Sequence, residues 1–192
     1  MKDFGGIWQG LLNKVKMRGH SEEEIARVIE TDSDVLDKLA DVFSEATHVP
    51  QGVYPVEVNY DLSLRDAIEA GDYQAVNASI TIENFPSSKS GVSKEDIFLM
   101  RFEGRMTSEE VVHALSKKGM RPAELREFLA FGATYPEMQR KFSVIGLGSV
   151  WRDKKGYGNV PCLYTASEGR YLDLHWWDDA WYSYSRFAVL RK

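Results

Sequence analysis

Cysteine is almost absent from this chain, with Cys162 its single thiol. An internal disulfide is therefore excluded, and an oxidising compartment would gain the fold nothing. Long hydrophobic runs are missing as well. No stretch approaches the roughly 20 apolar residues that a membrane helix needs, so no membrane contact is expected. The opening "MKDFGGIWQGLLNKVKMRGH" has no apolar signal core and no small-residue cleavage site, so no secretory signal is expected either. "NAS" at Asn77 fits a glycosylation acceptor, a pattern that carries no meaning without the secretion that is not expected here. The expected compartment is the cytoplasm. Basic charge is also short: 24 Lys and Arg stand against 29 Asp and Glu, a net charge of −5. Duplex nucleic acid is not an expected partner, because binding it calls for a concentrated basic patch.

Ligand-type residues are sparse and scattered. The histidines are His20, His48, His113 and His175, and none falls in an HExxH or His-x-His pattern. "HWWDD" puts His175, Asp178 and Asp179 close together, but a metal site needs further convergent ligands. "TDSDVLD" lacks the glycine and the closing glutamate of a calcium loop and reads as helix capping by Asp32, Ser33 or Asp34. "GLGS" at Gly146–Ser149 is followed by neither a helix pattern nor a lysine, so it cradles no phosphate. A close backbone approach accounts for its glycines. No metal, no cofactor and no catalytic residue is assigned.

What the chain does have is amphipathic pattern. At 43% hydrophobic and 28% charged residues, a core of ordinary size is available. Phe4, Ile7 or Trp8, Leu11, Leu12 and Val15 form a helical stripe, which Gly19 stops. Ser21 and Glu24 then make a capping box, with Ile25, Val28 and Ile29 facing inward. Val35, Leu36, Leu39, Val42 and Phe43 continue the helical period. A helical hairpin appendage is expected over residues 1–47. Pro50 and Gly52 punctuate a linker, and beyond it an α+β domain is expected over residues 53–192.

In that domain "VYPVEVN" alternates as a strand, with Pro55 pointing to a sheet edge. A short helix ends at Gly71. "AVNASITIENF" alternates as a second strand, with Val76, Ala78, Ile80 and Ile82 on one face. "DIFLMRF" is apolar enough for a central strand. Helices are expected from Thr107 or Ser108 to Gly119, from Pro122 in a first turn, and over "YPEMQRKF". "SVIGLGSVW", "VPCLYT", "RYLDLHW" and "SRFAVLRK" read as strands, giving a largely antiparallel sheet. Cys162, on an alternating strand, is expected to be a buried structural thiol.

Gly119, Arg121, Pro122, Ala123, Glu127, Leu129, Ala130, Phe131 and Gly132 follow a Gly-x-Arg-Pro-Ala-x-x-x-Glu-Leu-Leu-Ala-Phe-Gly run, with Phe128 at a Leu position. Leu147, Gly148, Ser149 and Trp151 fit a Leu-Gly-Ser-x-Trp strand, and Arg186, Phe187, Arg191 and Lys192 a closing Arg-Phe-x-x-x-Arg-Lys. In these motifs the chain resembles a group of uncharacterised bacterial proteins, a resemblance that implies no activity. More loosely, the order of helix, glycine-bearing strands and a terminal basic strand is similar to C-type-lectin-like domains. It departs from them in having no Trp-Ser-Ser strand, no paired cysteines and no calcium-ligand run.

The densest feature is the C-terminal "LHWWDDAWYSYSRFAVLRK", with three tryptophans, two tyrosines and a phenylalanine. Alternation assigns Leu172, Leu174 and Trp176 to one face, and Phe187, Val189 and Tyr184 as core candidates. Trp177, Trp181, Tyr182 and Tyr184 fall in or beside a turn with acids and hydroxyls, the composition of a recognition patch. Arg152, Lys154 and Lys155 supply basic support. The expectation is a non-enzymatic binding or regulatory module, with another protein as partner. The alternative is a small enzyme with a pocket of Ser149, His175, Asp178 and Arg186. A third reading is a structural partner that dimerises through the N-terminal hairpin.

Overall fold

The computed structural model describes residues 52–192, together with Asn13, residues 16–21, Glu23, Glu24 and Arg27. The chain divides into two units, Met1–Ala46 and Thr47–Lys192. Most of the hairpin expected over residues 1–47 lies outside the described residues. The described part shows the expected stop and restart. Gly19 has φ +94°, a left-handed conformation that glycine adopts without steric cost. Glu24 N donates to Ser21 Oγ at 3.1 Å and Ser21 N donates to Glu24 Oε2 at 3.0 Å, a reciprocal capping box.

The second unit is α+β. Its strands are β1 (Val53–Asn59), β2 (Ala75–Val76), β3 (Val92–Met100), β4 (Met120–Pro122), β5 (Ser143–Ile145), β6 (Trp151–Arg152), β7 (Gly158–Ala166), β8 (Gly169–Trp176) and β9 (Ser185–Arg191). Its helices are α1 (Leu64–Glu69), α2 (Ser108–Lys117), α3 (Leu125–Thr134) and α4 (Pro136–Lys141). One sheet runs β1-β3-β9-β5-β7-β8-β2, with β4 on β9 and β6 on β7. The β9–β5 and β8–β2 pairs are parallel, and every other pair is antiparallel. Pro55 sits on the edge strand β1, where a missing N–H breaks no ladder.

The central strands are buried on both faces, which is why they read as unbroken apolar runs. Ile97 and Leu99 of β3, Ala188 and Leu190 of β9 and Val144 of β5 pack with Phe128, Leu129 and Phe131 of α3. Their alternates Phe98, Met100, Phe187, Val189 and Ile145 pack with Val111 and Leu115 of α2. The result is three layers, with the sheet between the two helix sets. Phe187 and Val189 are core, as their period implies.

Several expectations are corrected. Only Ala75 and Val76 of the second alternating run are strand. Asn77 Oδ1 accepts from Ser79 N at 2.9 Å, Thr81 Oγ1 accepts from Asn84 N at 3.3 Å, and Asn84 Nδ2 donates to Ser79 O at 2.8 Å. These short side chains offer the backbone partners that a ladder would otherwise supply. Pro122 does not open a helix, since it lies in β4 opposite Val189. The helix starts at Leu125 instead, where Glu127 Oε2 accepts from Glu124 N at 2.8 Å. "SVIGLGSVW" is two short strands rather than one. Gly148 between them is required by closeness, because a Cβ there would lie 2.4 Å from Ala123 O.

Candidate functional site

The C-terminal aromatics separate into a buried latch and an exposed set. Trp181 is 4% exposed and is not a surface residue. Its ring meets Phe187 edge-on at 5.8 Å and lies 4.8 Å from the His175 ring. Its indole N–H donates to Ser108 Oγ at 2.8 Å, and Ser108 Oγ donates to Trp177 O at 2.6 Å. Met106 and Trp181 exchange backbone hydrogen bonds at 3.0 and 2.8 Å. Trp177, half-buried, donates its indole N–H to Glu109. That hydrogen bond holds the Glu109 carboxyl below its ordinary range. Trp177 and Trp181 thus fasten the start of α2 to the segment after β8. Both indole donors are already used, so neither is free for a partner.

The exposed rings are others. Trp176, expected in the core by alternation, is 62% exposed. It lies at the very end of β8, opposite Asn159, and stacks on exposed Tyr157 at 6.4 Å with planes 27° apart. Tyr184, a core candidate by period, is 67% exposed, because β9 begins only at Ser185. It stacks on exposed Tyr182 at 5.9 Å and 17°. Arg152 is exposed at the end of β6, donating from Nη1 to Gly156 O at 3.1 Å, and Lys154 and Lys155 in the turn to β7 are exposed too. Stacked pairs of this kind present apolar area without the entropy that long flexible side chains would lose on docking.

The alternative set has other occupations. Ser149 Oγ accepts from Leu125 N at 2.9 Å, capping α3. His175 Nδ1 approaches Asp179 Oδ2 at 3.3 Å. The Arg186 guanidinium lies 4.4 Å over the Phe142 ring and donates to Ser183 O and Ser185 O. None of these contacts joins one member of Ser149, His175, Asp178 and Arg186 to another. Cys162 is buried, and its thiol is pushed up to about 12, chiefly by burial and next by the Asp173 charge. A thiol so protonated is a poor nucleophile. Among the described residues no group of three or more His, Cys, Asp or Glu side chains is placed to hold a metal ion, and no helix is long and apolar enough to cross a membrane.

Two buried polar centres escaped the sequence reading. Glu127, 0% exposed, accepts from Arg121 at both oxygens at 2.8 Å, from Lys89 at 2.9 Å and from Tyr60 Oη at 3.0 Å. Burial alone would raise its pKa, but the hydrogen bonds from Arg121, Lys89 and Glu124 N outweigh burial and hold it at about 2. Tyr60 is pushed the other way, up to about 12, by burial and then by the Glu127 charge. The spacing Arg121 to Glu127 within the quoted Gly-x-Arg-Pro-Ala run was the available signal. The second centre is Arg170, which donates to Gly71 O and Gly132 O at 2.6 Å each and to Gln139 Oε1 at 3.2 Å. Nothing in "EGRYLD" announces it, because its partners lie 31 to 99 positions away.

Comparison with known protein families, curated proteins and solved structures gave no match. The resemblances to uncharacterised bacterial proteins and to C-type-lectin-like domains rest on the motifs quoted above.

Proposed function

We propose that this chain is a cytoplasmic, non-enzymatic binding or regulatory module that engages a partner protein through its exposed aromatic residues. The observation that supports the reading is the pair of stacked, exposed ring sets, Trp176 on Tyr157 and Tyr182 on Tyr184. Large exposed rings add nothing to the core, and rigid aromatics with a neighbouring arginine are the residues that anchor protein interfaces. In this reading Tyr182, Tyr184, Trp176 and Tyr157 make the contact and Arg152 lends charge. Trp177 and Trp181 hold the platform beneath.

The test is a paired enrichment. Tagged wild-type chain and a Trp176→Ser/Tyr184→Ser double variant are each recovered from the source cells after brief cross-linking, and co-purifying proteins are quantified. The expected result is a defined protein present with the wild type and depleted at least tenfold with the variant, at equal melting temperature. Identical companions for both chains would refute the surface.

A further inference from the structure

We propose that the cleft beside α1, floored by Arg126, binds a small amphiphilic monocarboxylate, with the carboxylate on the Arg126 guanidinium and the hydrocarbon body on Leu62, Ile68, Ile80 and Ile82. The cleft has a volume of about 840 Å³, within the range of small-molecule sites. It shares no residue with the aromatic surface, so the two proposals fail separately.

Arg126 is the reason to expect an anion. Three arginines are buried among the described residues, Arg126, Arg170 and Arg186. Arg170 donates to three acceptors and Arg186 to two. Arg126 is 8% exposed and lines the cleft; its side chain has no hydrogen bond or ion pair among the described residues, and its Nη1 is buried without a partner. A buried guanidinium nitrogen left without an acceptor is costly. It also stands in the first turn of α3, where the helix dipole disfavours a cation. Burial with no opposing charge depresses its pKa, yet arginine does not escape by losing its proton. Stability alone gives this position no use for an arginine. A ligand oxyanion supplies what is missing, because the planar fork matches a carboxylate at both oxygens.

The rest of the lining selects among anions. Leu62 and Ile82 are exposed at the mouth and Leu64 and Ile80 are buried deeper, an apolar wall that suits a hydrocarbon. Asp61, Glu69 and Glu83 are exposed around the rim. One rim cation, Arg65, is already paired with Glu69 at 2.8 Å. A rim rich in carboxylates repels a phosphate dianion far more than a monoanion, whose single charge the floor arginine neutralises. The Arg126 charge in turn excludes an amine of the same shape.

Octanoate is the probe, titrated calorimetrically into the full chain at neutral pH, with octylammonium and inorganic phosphate as controls. The expected result is saturable one-to-one binding of octanoate and none of either control. Arg126→Met should weaken octanoate at least tenfold and raise the melting temperature of the unliganded protein, because an uncompensated buried charge is gone. Ile82→Asp, at the exposed mouth, should weaken octanoate at least fivefold with an unchanged melting temperature. An Arg126→Met protein that melts lower or does not fold would show a structural arginine and overturn the proposal. So would octanoate binding that ignores both substitutions, tighter binding of phosphate than of octanoate, or no octanoate binding at millimolar concentration.

Discussion

Replacing Glu127 with glutamine removes one charge and almost no volume, so it isolates the electrostatics of the buried cluster. The carboxyl is held at about 2 in the folded chain against an ordinary value of 4.5. Linkage converts that difference into about 3 kcal/mol of stability at neutral pH. Breaking a buried ion pair from one side costs roughly 3–5 kcal/mol by analogy, so the two routes agree at the lower end. The lower end is expected, because Lys89 can turn wholly to Glu124, 3.1 Å from its amine, and Arg121 retains some access to water. The sign follows from the direction. A depressed folded-state pKa gives stability that is present above the unfolded value and is lost as pH falls through the folded one. Wild type should therefore lose about 3 kcal/mol more than Glu127→Gln between pH 5 and pH 2. Urea melts at pH 7 should show the variant's midpoint lower by about 1.5 M, for an m-value of about 2 kcal/mol per molar. A midpoint shift below about 0.3 M, or parallel acid profiles for the two proteins, would refute the cluster as a net contributor.

Other perturbations should follow burial. Phe187→Ala opens a cavity between β9 and α2 and should cost roughly 3–5 kcal/mol in denaturant melts. Trp181→Ala should cost a similar amount, because the ring is buried against Phe187 and its indole holds Ser108, whereas Tyr184→Ala should change stability by no more than about 0.5 kcal/mol. Cys162 should resist a thiol reagent in the native chain at pH 8 and react fully in denaturant, since its thiol is buried and stays protonated to about pH 12; rapid native labelling would contradict its burial.

The elements were legible where one signal dominated. The α2 helix begins at Ser108, capped by Thr107 and Glu110, and Pro55 marks an edge strand because proline cannot serve a central ladder. Periodicity misleads where local side-chain bonds compete with it. The hydroxyl and amide groups of Asn77, Thr81 and Asn84 turned an alternating run into turns. Pro122 carried a helix-start signal that β9 overrode by pairing. At the candidate site, alternation put Trp176 with the inward-facing leucines and turn composition put Trp181 in a recognition patch, whereas Trp176 is exposed and Trp181 is buried. Alternation tells which side of a strand a residue faces, not whether a helix covers that end of the sheet. Arg126 was invisible for the same reason, since what distinguishes it is the lack of a partner in space.

Hydroxyl-radical footprinting of the chain in its own cells, set against the purified protein, tests the central claim most directly. Tyr157, Trp176, Tyr182 and Tyr184 should be labelled strongly when the protein is alone and be protected together in the cell. Trp181 should be unlabelled in both. Equal labelling of the exposed rings in the cell and in isolation would contradict a partner surface there.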